Sequence, residues 1–150
     1  MTDGAVFKLV SVTKTDVLRE IADKAAELGW LVDNEKSATL FHQLHKREQL
    51  GSTGIIPHIA IPHCKSDVIQ QDMILLVGFS PDGVSFDSQD GKPVKLLFTV
   101  ITRKDMTTMH LGALAAISRM ISRHGLSARI EDYMDRDKLQ QIVHECEYEI

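Results

Sequence analysis

Apolar residues spaced three and four positions apart predict two helices in the first third of the chain. The first is expected to begin at Thr13, a residue type that caps helices, and to end at Gly29. Its apolar stripe is formed by Val17, Leu18, Ile21, Ala22, Ala25 and Leu28. The second helix is expected to begin at Asp33 or Asn34 and to run toward Glu48. Its buried side is predicted to contain Ala38, Phe41 and Leu44.

Apolar-rich runs predict the strands of a buried sheet. Residues 73–79 form one such run, and it is followed by Ser80-Pro81-Asp82-Gly83, a sequence typical of a turn. Residues 94–101 form the second strong strand. Shorter strands are predicted at 59–61 and at 84–86.

Helical spacing returns in the last third of the chain. A third helix is expected over about Met106 to Arg123, and a fourth from Asp135. The apolar stripe of the third is predicted to be Leu111, Leu114, Ala115, Ile117, Ser118 and Ile121. The fourth is expected to bury Leu139, Ile142 and Val143. This order of elements predicts an α/β fold in which residues 1–150 form a single domain, a mixed β-sheet covered by helices as an α/β/α sandwich.

Composition narrows the function classes. Hydrophobic residues make up 43% of the 150 residues and charged residues 25%, which is typical of a globular protein and not of a disordered one. The longest apolar run is far shorter than the roughly 20 residues that cross a bilayer, and no signal peptide is recognised. A net charge of -4 with dispersed Lys and Arg argues against a nucleic-acid partner. Two cysteines give no disulfide framework, so a cytoplasmic protein that is not embedded in a membrane is expected.

The most informative of the seven histidines is His63, which follows the short strand 59–61 and Pro62. Proline fixes φ and lacks a backbone N–H, so the chain must turn there and place the next side chain at the rim of the sheet. An imidazole at that rim can act as a base, a metal ligand or a nucleophile. A hydrogen-bonded structural histidine is the alternative that spacing leaves open.

His110 lies in the first turns of the third predicted helix. Unpaired backbone N–H groups and the positive end of the helix dipole lie at such a terminus, and both favour an anion such as phosphate. The alternative is a partly exposed residue of the first turn with no role in binding.

Three segments carry a family resemblance. The first begins at Arg47 and reads R-E-Q-L-G-S-T-G-I, followed by I-A-I-P-H at 59–63. The second, at 86–94, reads F-D-S-Q-D-G-K-P-V, and the third, at 110–115, reads H-L-G-A-L-A. Together they resemble the fructose/mannitol-type enzyme IIA family of the phosphoenolpyruvate-dependent sugar phosphotransferase system, which includes nitrogen-regulatory relatives. The resemblance covers about residues 10–145.

The resemblance implies a role for three residues. His63 corresponds to the histidine that accepts the phosphoryl group, and His110 to the second active-site histidine, which donates a hydrogen bond to a phosphoryl oxygen. Arg47 corresponds to the family's arginine, whose planar, permanently charged fork suits charge stabilisation.

One segment departs from the family pattern. Family members usually have Gly-x-Gly where this chain has Ile56-Pro57-His58. Glycine permits positive φ and close approach of the backbone to a phosphoryl group, whereas Pro57 permits neither positive φ nor an N–H donor. In this phosphate loop, Ser52, Thr53 and His58 are candidates for phosphoryl hydrogen bonds. Turn and capping duty for the two hydroxyls, and an exposed loop position for His58, stay open.

The resemblance also implies partners. Phosphate passes from the carrier protein HPr to His63 and then to an enzyme IIB, with a IIC permease downstream, and no cofactor or metal is required. A homo-oligomer stays open, as does the identity of the sugar. The wording D-G-K-P-V at 90–94 favours the fructose type.

Two alternatives remain. A nitrogen-type regulatory enzyme IIA would share the fold and the His63 chemistry but would act by phosphorylation-dependent protein binding. A metal hydrolase using His58, His63 and His110 would need an acidic ligand, and the sequence has none in an evident motif. His42 and His45 lie one helical turn apart, a spacing compatible with metal binding. The alternative is that both belong to a solvated helix face.

Overall fold

The computed structural model describes residues 2–150, which contain five β-strands and four α-helices. The strands are β1 (Thr2–Lys8), β2 (Ile59–Ala60), β3 (His63–Lys65), β4 (Met73–Val84) and β5 (Val94–Thr102). The helices are α1 (Lys14–Glu27), α2 (Ser37–Gln49), α3 (Thr107–His124) and α4 (Arg136–Glu149). Short 3₁₀ turns precede α2 and α4, at Asn34–Lys36 and Ile130–Tyr133.

The strands form one mixed sheet in the order β1-β4-β5-β2, and β3 continues beside β5 past the end of β2. β1 runs parallel to β4, β4 runs antiparallel to β5, and β2 and β3 run parallel to β5. Because β3 and β5 are parallel, their carboxyl ends meet at one edge of the sheet, where Lys65 pairs with Thr102. α3 begins a few residues after that end of β5.

Helices cover both faces of the sheet. Alternate strand residues point to opposite faces, so Leu96 and Phe98 join the core beneath α3 and α4, while Leu97 and Ile101 join the core beneath α1 and α2. The predicted α/β/α sandwich with a mixed sheet is confirmed.

Two predicted helix starts are confirmed by their caps. Thr13 Oγ1 accepts a hydrogen bond from Asp16 N at 3.4 Å, and Asp135 Oδ1 accepts from the backbone N–H groups of Asp137 and Lys138. These bonds satisfy backbone donors that have no partner inside the helix. Gly29, with φ of +74°, follows the end of α1 as predicted.

Two strand predictions are wrong. No strand is predicted for residues 2–8, yet β1 pairs with β4 along its whole length, and α4 packs on it where a Cβ on Gly4 would lie 2.7 Å from Val143 Cγ1. The predicted turn at residues 80–83 does not reverse the chain. β4 continues to Val84 through an irregularity in register, because Val84 still pairs with Val94.

Two predicted helix faces are wrong in part, although Ile117 and Ile121 on α3 are buried as predicted. On α3 the buried side contains His110, Ala113, Ala116, Ile117, Met120 and Ile121. Leu111 is 61% exposed, because the helix turns Ala113 and Ala116 toward the sheet instead. On α2, Leu40 is buried together with Phe41 and Leu44, whereas Ala38 is exposed.

Candidate functional site

His63 opens β3 at the edge of the sheet, directly after the interruption at Pro62. Successive strand residues point to opposite faces, so His63 and Lys65 share the face toward α3. Two contacts agree with this: the rings of His63 and His110 lie 5.6 Å apart, and Lys65 Nζ donates to Thr107 Oγ1 at 2.8 Å. Cys64 packs toward the opposite core, where burial raises its thiol pKa to about 12.

The hydrogen bond of His63 determines which ring nitrogen is available. Nδ1 lies 2.7 Å from the carbonyl oxygen of Ile61. A carbonyl can only accept, so Nδ1 carries the proton of this bond and the neutral ring has its lone pair on Nε2. Nε2 is therefore the ring nitrogen of neutral His63 that has a lone pair available.

His110 lies in the first turns of α3 and is only 7% exposed. Its backbone N–H donates to Met106 O at 2.9 Å, and its Nδ1 lies 2.8 Å from Thr102 Oγ1. The planes of the two histidine rings are inclined by 59°. No side chain within residues 2–150 caps the start of α3, so the first N–H groups of the helix have no side-chain partner there.

The pKa of His110 is lowered from 6.5 to about 4, first by burial and then by the charges of His63 and Lys65. His110 is therefore neutral near pH 7, when it can offer one ring N–H as a donor.

This shift predicts a pH dependence of stability. Between about pH 6.5 and pH 4 the unfolded chain protonates this imidazole while the folded protein does not, so stability is lost as pH falls through that window. We expect His110 to account for a loss of about 3 kcal/mol in the free energy of unfolding. Urea unfolding at several pH values should show a shallower dependence for His110→Gln than for the wild type. Equal slopes would contradict the prediction.

Arg47 lies in the last turn of α2, on the other side of β3 from α3. Its Nη1 donates to Gly51 O at 3.0 Å, which anchors the loop that follows the helix. An open cleft of about 410 Å³ joins this arginine to the histidine pair. The cleft is lined by Gln43, Lys46, Arg47, Leu50, His63, Cys64, Lys65 and His110. Its charged lining is cationic, which suits a phosphoryl group.

The structure places two of the three phosphate-loop candidates in local bonds away from this cleft. Ser52 Oγ accepts from Gly54 N at 3.1 Å and lies 3.4 Å from Phe86 O. Thr53 is buried, and both its N–H and its hydroxyl donate to the Glu48 carboxylate. These two side chains therefore shape the loop in this structure.

His58 lies at the opposite end of β2 from His63. Its Nδ1 bonds Pro93 O at 2.9 Å, and its carbonyl accepts from Leu96 N, four positions before the Val100 partner of His63. That separation along β5 is roughly 13 Å. Its φ of +66° shows that the loop keeps a left-handed residue without a glycine. The three histidines of the hydrolase hypothesis are therefore not grouped, and no cluster of three or more His, Cys, Asp or Glu within residues 2–150 could hold a metal ion.

Sequence reasoning missed three residues that contribute to the site. Lys65 shares the strand face of His63 two positions away, a period-2 signal that was readable. Glu48 and Thr102 act through buried hydrogen bonds with Thr53 and His110, and no sequence pattern marks such partners.

Almost the whole chain matches a known family. Residues 2–146 match the family described as phosphoenolpyruvate-dependent sugar phosphotransferase system, EIIA 2. The chain belongs to this family. The predicted family resemblance is thereby confirmed, and its members are phosphoryl carriers.

The relatives in this family include both nitrogen regulatory proteins and fructose-specific components of the phosphotransferase system. The nitrogen regulatory protein of Pseudomonas aeruginosa is 34% identical over 131 residues, covering 87% of this chain and 82% of its own. The fructose-specific EIIABC component of Bacillus subtilis is 31% identical over 141 residues, covering 93% of this chain but 21% of its own.

Solved structures agree on the fold. The nitrogen regulatory protein IIA-Ntr from Neisseria meningitidis superposes with a TM-score of 0.73 at 26% identity, covering 92% of this chain and 91% of its own. The mannitol IIA of Escherichia coli superposes with a TM-score of 0.70 at 16% identity, covering 91% and 94%, a likeness of fold alone. Within the described part of the chain, no helix has the length and apolar character needed to cross a bilayer.

Proposed function

We propose that this chain carries a phosphoryl group on Nε2 of His63, accepting it from phospho-HPr and passing it to an enzyme IIB. The observation that carries the proposal is that the His63 and His110 rings lie close together in one cleft. His63, whose Nε2 is left free by the Nδ1 bond to Ile61 O, lines the same cleft as His110 and Arg47, and the centroids of the two histidine rings lie 5.6 Å apart.

The transfer balances without further reactants. The lone pair of His63 Nε2 attacks phosphorus, the phosphorus–nitrogen bond of the donor phosphohistidine breaks, and its electron pair returns to the donor ring. Positive charge develops on the His63 ring as the new bond forms, and the Ile61 carbonyl stabilises it through Nδ1–H. In the transition state, negative charge is spread over the three equatorial oxygens of the phosphoryl group. His110, Arg47 and the start of α3 would stabilise this charge.

Incubation with phosphoenolpyruvate, enzyme I and HPr tests the proposal. We expect one acid-labile phosphate per chain, dependent on HPr, and bonded to Nε2 in ¹⁵N spectra of the phosphorylated protein. Phosphate on Nδ1, or no uptake from a phospho-HPr that loads a known enzyme IIA, would contradict it.

Sugar uptake and regulation are separate roles for the same chemistry. The D-G-K-P-V wording and the 31% identity to a fructose component favour a fructose-type IIB as the acceptor. The 34% identity to a nitrogen regulatory protein favours regulation by phosphorylation-dependent binding as the second candidate. Purified fructose and mannitol IIB proteins distinguish the roles, because only a transport component should pass its phosphate to one of them rapidly. A loaded protein that neither IIB discharges would favour the regulatory role.

A further inference from the structure

Thr102, the last residue of β5, is completely buried at the base of the site. Its Oγ1 lies 2.8 Å from Nδ1 of His110. Neither the family motifs nor the proposed transfer assigns it a role. No other hydrogen-bond partner of this hydroxyl is found within residues 2–150.

The proton in this bond can lie on either atom. If His110 Nδ1 carried it, the threonine oxygen would accept and the threonine's own buried proton would have no acceptor. If the hydroxyl donates to Nδ1, both the buried hydroxyl proton and the Nδ1 lone pair are satisfied. Leaving a buried donor unpaired disfavours the first arrangement by a factor of about five or more.

The second arrangement, in which the hydroxyl donates, also determines the protonation of the other ring nitrogen, Nε2. A neutral imidazole carries one proton, so a ring that accepts at Nδ1 must carry its proton on Nε2. In the tautomer with its proton on Nδ1, Nε2 would instead carry a lone pair on the His63 side of the site. That lone pair would repel phosphoryl oxygens. The direction of one buried hydroxyl therefore decides whether His110 attracts or repels the phosphoryl group.

We propose that Thr102 is a positioning residue that holds neutral His110 in the tautomer with its proton on Nε2, so that His110 donates toward a phosphoryl group on His63. The inference rests on the proposed function for its consequence, but the tautomer exists without phosphate. The two can therefore fail separately.

The tautomer is measured first, on the unphosphorylated wild type. Long-range ¹H–¹⁵N correlation near pH 7 should show a protonated Nε2 and an unprotonated Nδ1 for His110, and the reverse for His63. A protonated Nδ1 on His110 would overturn the inference, whatever the protein does with phosphate.

Matched variants then test the role of the hydroxyl. Thr102→Val removes it with little change of shape, Thr102→Ser keeps it, and Thr99→Val makes the same change at a fully buried threonine three positions earlier on β5. We expect Thr102→Val to give a mixture of His110 tautomers and to lower kcat for transfer from phospho-HPr roughly five- to tenfold. The KM for phospho-HPr should stay the same, since the change is buried. Thr102→Ser and Thr99→Val should behave as the wild type.

Each outcome of these measurements either supports or overturns the positioning role of Thr102. A Thr102→Val protein with the wild-type tautomer and the wild-type kcat would overturn the inference. Equal losses in Thr99→Val would do so too, because they would show a general effect of packing. If Thr102→Val does not fold, the wild-type tautomer and the kcat of Thr102→Ser still decide. If the wild type takes up no phosphate, the proposed function fails while the tautomer result stands.

Discussion

Replacing His63 with alanine is expected to abolish phosphate uptake from phospho-HPr. His63 presents Nε2 as a nucleophile because Nδ1 is bonded to the Ile61 carbonyl, and the methyl group of alanine cannot replace it. Incorporation of labelled phosphate, or the mass of the intact protein after incubation with the donor proteins, measures the effect. Circular dichroism should show that the variant is folded, since the side chain is only partly buried.

Variants of two other histidines show whether the loss of phosphate uptake is specific to His63. His58→Ala should load normally, because that ring bonds Pro93 at the opposite end of β2. His110→Ala should still load, at a reduced rate, and its onward transfer should be slower by about a hundredfold, the usual effect of losing one preorganised donor. Uptake by His63→Ala at the wild-type level would refute the proposed acceptor.

Replacing Glu48 with alanine should lower the free energy of unfolding by about 3 kcal/mol. The side chain of Glu48 is almost completely buried, and its carboxylate pairs with Lys14 Nζ at 3.0 Å. It also accepts from the backbone N–H and the hydroxyl of Thr53. The variant therefore leaves two buried donors and a largely buried ammonium group without their acceptor. Chemical denaturation near pH 7 measures the loss.

A surface ion pair provides the matched control for Glu48. Glu27 pairs with Lys24 at 3.5 Å, but its side chain is 71% exposed, so Glu27→Ala should change the free energy of unfolding by less than about 1 kcal/mol. The prediction would be wrong if both variants had the same small effect. Glu48 also lies next to Arg47 and secures the loop that Arg47 contacts at Gly51, so its loss should weaken phosphate uptake as well.

Local signals in the sequence were sufficient where a local interaction decides the structure. The starts of α1 and α4 follow from caps within three residues of Thr13 and Asp135. The strand at 94–101 follows from an apolar-rich run, and in the structure it continues one residue further, to Thr102. The same local signals misplaced the turn at residues 80–83, because pairing with β5 competes with turn chemistry and extends β4 to Val84.

The sequence by itself determined the fold class, the family and the choice of His63 as the candidate phosphoryl acceptor, because apolar periodicity, caps and motif sequences are properties of short segments. Only the tertiary structure decided what surrounds that histidine. Residues 63 and 110 meet because β3 lies parallel to β5, so that α3 starts beside the carboxyl end of β3. The proton positions on both rings follow from buried partners, Ile61 O and Thr102 Oγ1. Such contacts depend on sheet register and on the rotation of a helix about its axis, which neighbours in the chain do not specify.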